Sequence, residues 1–114
     1  VQMQRFKAVN DRHGYDVGDE LLRRIAMAAV EEMPAGAVVS RLSGDELAVA
    51  IACAPDGVAE VEQAGDAMLR IMGRSYDIDG KLATVGAFVG IAVQPALLDA
   101  RPADLLRRAD IALE

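Results

Sequence analysis

Two short apolar runs, residues 37–42 (AVVSRL) and 47–52 (LAVAIA), flank the stretch Ser43-Gly44-Asp45-Glu46 and constrain the fold more than any other part of the chain. Runs of this length, rich in Val and Ile and parted by a short Gly-containing segment, specify a β-hairpin. Strand alternation puts Leu47, Val49 and Ile51 on one face of the second run and Ala48, Ala50 and Ala52 on the other. The alanines leave room for a close neighbour. Adjacent carboxylates at the tip, Asp45 and Glu46, can hold a divalent cation against a phosphate. They can equally belong to a solvated turn, because Ser, Gly and Asp are ordinary turn residues.

Residues 1–4 read as the end of a strand. Residues 6–15, polar and containing Asn10-Asp11 and Gly14, read as a loop. A helix is expected from Asp16 as N-cap, with Asp19 in its first turn, where a negative charge suits the dipole. Val17, Leu21, Ile25 and Ala28 form its apolar stripe, widened by Leu22 and Ala29. Glu20 and Arg24 are spaced as an i,i+4 pair, and Pro34 and Gly36 end the helix. After the hairpin, Pro55-Asp56-Gly57 opens a second helix, with Val58, Val61, Ala64, Met68 and Ile71 inward and Gly73 as its C′ residue. Asp79-Gly80 marks a two-residue hairpin turn between residues 76–78 and 81–82. Residues 84–93 predict a long apolar strand ended by Pro95, with Gly86 and Gly90 marking a bulge or a close backbone neighbour. Pro102 opens a third helix with Leu105, Leu106, Ala109 and Leu113 on its apolar side.

That order is β-α-β-β-α-β, with a small hairpin inserted before the last core strand and a helix after it. It predicts an α+β, ferredoxin-like fold: an antiparallel sheet with helices packed on it. With 114 residues, 53% of them apolar, one folded domain over residues 1–114 is expected. The net charge of −6 argues against non-specific nucleic-acid binding and against an anionic membrane face. A polyphosphate ligand would therefore need a local cation, from a metal or from placed Lys and Arg. Cys53 is the single cysteine, which excludes an intrachain disulfide and a multi-cysteine zinc site; its apolar neighbours mark it as a small buried residue. His13, the only histidine, has no partner cluster and reads as an exposed loop residue, and Arg107-Arg108 as solvated helix surface. No run reaches membrane-spanning length and no secretion signal opens the chain, so a cytoplasmic setting without direct membrane insertion is expected. The opening Val points to a segment of a longer protein.

Spacing then links the segments. Phe6-Lys7-Ala8-Val9-Asn10-Asp11, Gly14, Gly18-Asp19, the hairpin stretch Arg41-Leu42-Ser43-Gly44-Asp45-Glu46-Leu47 and the terminal LLRRADIAL of residues 105–113 follow one another in an order that resembles the GGDEF domain, the diguanylate cyclase family. The likeness covers nearly the whole chain and implies the family's palm-like fold. It also implies a reaction in which two GTP molecules, one on each subunit of a head-to-head dimer, are joined into cyclic di-GMP. The 3′ hydroxyl of one attacks the α-phosphate of the other and pyrophosphate leaves, with two magnesium ions stabilising the developing charge.

Carried over residue by residue, the resemblance assigns Asn10 and Asp19 to guanine, through an amide that both donates and accepts and a carboxylate that accepts. A loop turn for Asn10 and a helix-end charge for Asp19 are the plainer alternatives. Phe6 and Lys7 fall in the segment whose backbone cradles the phosphates. Ser43 and Gly44 are the first two positions of the hairpin signature. Asp45 matches a metal ligand and base, and Glu46 the acid that assists it. Leu47 replaces Phe, a packing change, and Ser43 replaces a glycine. The serious departure is Gln2, which stands where the first-strand metal aspartate belongs; the second acidic position of that motif falls on Gln4. An amide coordinates a hard cation without bringing charge, so magnesium binding is expected to be weakened. An RxxD inhibition site would fall on Pro34 and Ala37 and is missing, and the family's phosphate-binding Lys and Arg fall beyond residue 114. The expectation is a catalytically inactive GGDEF domain, a regulatory or GTP-sensing module beside another signalling domain such as a cyclic di-GMP phosphodiesterase (EAL) domain. An active cyclase and a ligand-free homodimerisation module are the alternatives.

Overall fold

The hairpin forms as its alternation requires. In the structure, a computed structural model that describes residues 1–94 and 101–113, β2 (Val38–Ser43) and β3 (Glu46–Ala50) run antiparallel with Val39 opposite Val49 and Arg41 opposite Leu47. The sheet continues from β3 to β1 (Gln2–Gln4) and then to β6 (Gly86–Phe88), in the order β2-β3-β1-β6 with every pairing antiparallel. The helices are α1 (Phe6–His13), α2 (Tyr15–Glu32), α3 (Val58–Met72) and α4 (Pro102–Leu113). A separate two-stranded ribbon, β4 (Tyr76–Ile78) with β5 (Lys81–Ala83), precedes β6. This is the ferredoxin-like α+β arrangement, with β2 and β6 at the edges and β3 and β1 in the centre.

Met3 and Leu47 on the sheet meet Leu21, Ile25 and Ala29 of α2 and Ala64, Met68, Ile71 and Met72 of α3, all buried. Each Leu, Ile and Met among them contributes roughly 1.5–3 kcal/mol by leaving water. The α2 stripe therefore sits where its spacing places it, and the Glu20–Arg24 pair forms at 3.2 Å. Asp79 and Gly80 both have positive φ, 52° and 82°, as a tight hairpin turn between β4 and β5 demands. Met33, before Pro34, is extended, and α2 stops there.

Several expectations are corrected. Residues 6–13 are a helix, not a loop: Phe6 and Val9, three apart, are buried, so packing overrides a polar composition. Consequently α2 begins at Tyr15 with Gly14 as N-cap, Asp16 lies in the first turn, and Asp19 lies beyond it. His13 is in the last turn of α1 and half-buried. Gly73 caps α3 with φ −82° rather than in a left-handed conformation. Val58 is the first residue of α3 and 47% exposed, because the core begins one turn later at Val61 and Ala64. Cys53 is only half-buried, since β3 has already ended at Ala50. The strand expected over 84–93 is confined to Gly86–Phe88. Its glycines do mark close neighbours. A Cβ on Gly90 would meet the Ala109 carbonyl and Leu113 of α4, and one on Gly86 would lie 3.3 Å from Gln4. The stop at Pro95 lies outside the described residues. None of the α4 residues is buried; Leu105, Ala109 and Leu113 are half-covered, whereas Leu106, expected on the same apolar face, is exposed.

Candidate functional site

Register brings the hairpin tip to the first strand. Gln2 stands opposite Glu46 on one side and Phe88 on the other. The Met3 N–H donates to the Asp45 carbonyl at 2.7 Å, and the Leu47 N–H to the Val1 carbonyl at 2.8 Å. Opposed residues of an antiparallel pair project on the same face, so Gln2 is flanked by one carboxylate and by an aromatic ring that is 55% exposed. Arg41 holds the tip: its Nε donates to the Ser43 carbonyl at 3.0 Å and its Nη2 to the Gly44 carbonyl at 3.1 Å. Neither Ser43 nor Gly44 has positive φ, so serine at this place carries no left-handed strain. The Asp45 carboxylate is exposed, with the Ser43 hydroxyl 3.4 Å away. Glu46 is half-buried, and burial pushes its carboxyl above the usual range, helped by the Asp110 carboxylate of α4 beside it.

A second cluster lies where α1 meets α2. Arg5, the N-cap of α1, offers no side-chain cap, and the first intrahelical bond runs from the Val9 N–H to the Arg5 carbonyl. The N–H groups of Phe6, Lys7 and Ala8 are thus the free donors of the helix start, where partial positive charge accumulates. Gly14, at φ +94°, closes α1 and opens α2. One turn into α2, Gly18 presents no side chain to α1, and the space is occupied by Asn10: a Cβ on Gly18 would collide with Asn10 Oδ1 and stand 3.3 Å from the Phe6 ring. That Oδ1 is buried and accepts no hydrogen bond. Asp19, the next residue, is exposed. The structure therefore brings Phe6, Asn10 and the Gly18-Asp19 pair together at the α1–α2 junction, and Gln2, Asp45 and Glu46 together at the sheet end.

Known proteins share this fold. A family model described as "Diguanylate cyclase, GGDEF domain" matches residues 1–114. The chain belongs to the GGDEF family. The diguanylate cyclase TpbB of Pseudomonas aeruginosa is 34% identical over 113 residues, which is 99% of this chain and 26% of that protein. A solved structure comprising only the GGDEF domain of that protein superimposes with a TM-score of 0.85 at 35% identity, covering 98% of this chain and 64% of the other. MucR of the same organism, a bifunctional diguanylate cyclase/cyclic di-GMP phosphodiesterase, is 28% identical over 83% of this chain and 14% of its own length. This GGDEF chain spans about a quarter or less of the length of those two relatives. Its place is in cyclic di-GMP signalling, among relatives some of which carry a phosphodiesterase activity as well.

Magnesium is the cation the family implies, and the donor set of this GGDEF domain fits it poorly. Gln2 brings a neutral amide, and Glu46 is half-buried beside the Asp110 carboxylate of α4. Asp45 alone contributes an exposed carboxylate, and among the described residues no three carboxylate, imidazole or thiol groups are clustered to hold an ion. Sequence reasoning missed four contributors. Arg41 and Asp110 lay inside family-like stretches but had no visible partner, because their roles depend on the turn and on α4. Phe88 faces Gln2 only through register, and Arg5 acquires its place from a positive φ of 65°.

Proposed function

We propose that this GGDEF domain is a catalytically inactive regulatory module that binds GTP within a longer signalling protein, next to a cis-acting signalling or cyclic di-GMP phosphodiesterase domain. The single observation that carries the reading is the neutral Gln2 amide opposite Glu46 and Phe88, in the strand position where the family places an anion. The α1–α2 junction supports GTP. The orphaned Asn10 Oδ1 offers an acceptor to guanine N–H donors once the amide turns outward, and Asp19 offers an exposed carboxylate to the same edge. The free N–H groups of Phe6, Lys7 and Ala8 receive phosphate oxygens at the start of α1. Without strong magnesium binding, the charge that develops when the 3′ hydroxyl attacks the α-phosphate goes unanswered, so nucleotide is held and not converted.

An active diguanylate cyclase is the second reading, favoured by the unstrained Ser43 and the retained Asp45 and Glu46. A ligand-free homodimerisation module is the third. Incubating the protein at its full natural length with GTP and magnesium separates them. The proposal expects GTP to be bound and no cyclic di-GMP to accumulate. Product formation overturns it in favour of the second reading, and absence of GTP binding in favour of the third.

A further inference from the structure

A second concavity, of about 280 Å³, lies between α1 and the segment from β5 to β6. Arg5, Arg12 and His13 line it from α1, and Leu82, Ala83 and Thr84 from the opposite side. Neither Asn10 nor Asp19 belongs to it. In a chain of net charge −6, this cleft is lined by two guanidinium groups and an imidazole and by no carboxylate. Among the described residues none of the three basic groups forms an ion pair.

The plainest account is that Arg12 and His13, in the last turn of α1, answer the negative end of the helix dipole. It does not reach Arg5. That residue sits at the opposite end of α1, where the dipole repels a cation, and its backbone is held at φ 65°, a conformation costing on the order of 1 kcal/mol for a residue with a side chain. Gly86 faces it across the cleft edge without a side chain, with Arg5 Nη2 3.7 Å from where a Cβ would stand. Helix-end compensation thus explains two of the three cations. A ligand that needs all of them explains the third.

We infer that this cleft binds a small phosphate-bearing molecule, its phosphate held by Arg5, Arg12 and His13 and its apolar or ring portion laid against Leu82. Guanidinium forks match phosphate oxygens in pairs. Thr84 adds a hydroxyl, and Leu82, 66% exposed, supplies an uncovered apolar wall. The volume, just below the common range for ligand pockets, suits a molecule up to the size of a mononucleotide and not a dinucleotide. The cleft shares neither Asn10 nor Asp19 with the guanine site proposed above, although Arg5 and Ala8 adjoin the start of α1 assigned there to phosphates.

The test is a heteronuclear NMR titration of the chain with inorganic phosphate and then adenosine monophosphate, with sodium chloride at matched ionic strength as control. The inference expects saturable shifts at His13, Leu82 and Thr84 with both phosphates and tighter binding of the monophosphate. Arg12→Gln, on an exposed helix end, should weaken both by about tenfold or more, the loss expected for one charged hydrogen-bond donor, with the rest of the spectrum unchanged. Shifts that do not saturate, that chloride reproduces, that centre on Phe6 and Asn10 instead, or that survive Arg12→Gln overturn it.

Discussion

The two ends of the site differ in what holds them. At the α1–α2 junction, recognition rests on shape: Gly18 gives up its side chain so that Asn10 can occupy the space, and Phe6 packs against the same point. At the junction of β1 with the hairpin, the proposed cation site would rest on charge, and the two strand positions facing it, Gln2 and Gln4, are neutral amides. The backbone there is nonetheless intact, with Met3 bonded to Asp45 and Arg41 pinning the turn. The strand forms and pairs with neutral side chains at both positions. The fold does not depend on those charges, whereas the close packing of Asn10 on Gly18 is part of the fold itself.

The sharpest way to break this comparison is to spoil the shape. Gly18→Ala puts a methyl group where Asn10 Oδ1 lies, which should destabilise the domain by about 1–3 kcal/mol and lower GTP affinity by about tenfold or more. Adding Asn10→Ala should restore stability without restoring affinity. A thermal melt and a GTP titration of the three variants check this, and simple additivity of the two stability changes would count against the packing described. Restoring charge at the other end comes next. Gln2→Asp should raise GTP affinity in magnesium by about tenfold, the effect of one regained anion on a hard cation, and leave affinity without magnesium unchanged. Calorimetry in both conditions reads it; an equal change in both would place the defect elsewhere.

The smallest effect concerns a surface ion-pair cluster on α2, beginning one residue past Asp19. Hydrogen bonds from Arg23, and then Arg24, hold the Glu20 carboxyl down at about 2 from a usual 4.5. A depressed carboxylate favours the folded state above its unfolded value, so this contribution is complete above about 4.5 and is lost as pH falls through about 2. The pair is on the surface, so its weight in stability is small. Carboxyl-carbon NMR should find the low value and should see it return towards 4.5 in Arg23→Gln. An unchanged value in that variant would assign the shift to something other than the arginine.

Much of this was legible in the chain, for unequal reasons. The turn at Asp79-Gly80 and the α2 stripe through Leu21 and Ile25 follow from local chemistry and periodicity, and both stand as expected. Helix α1 was hidden because only Phe6 and Val9 signal burial within a polar stretch, and its stability comes from α2. The last core strand looked longer than it is because an apolar run does not reveal how closely α4 approaches Gly90. Family spacing brought Asn10, Asp19, Asp45 and Gln2 to notice. It could not show that Asn10 depends on Gly18, that Asp110 raises Glu46, or that Phe88 stands beside Gln2. Those are relations between segments distant in sequence, set by register and helix approach.

Magnesium dependence tests the central claim most directly. Titrating the domain with GTP by calorimetry, in magnesium and in a chelator, should give saturable binding with nearly the same affinity in both. A strong gain in affinity on adding magnesium would show that Gln2, Asp45 and Glu46 still grip the ion, and would contradict the account.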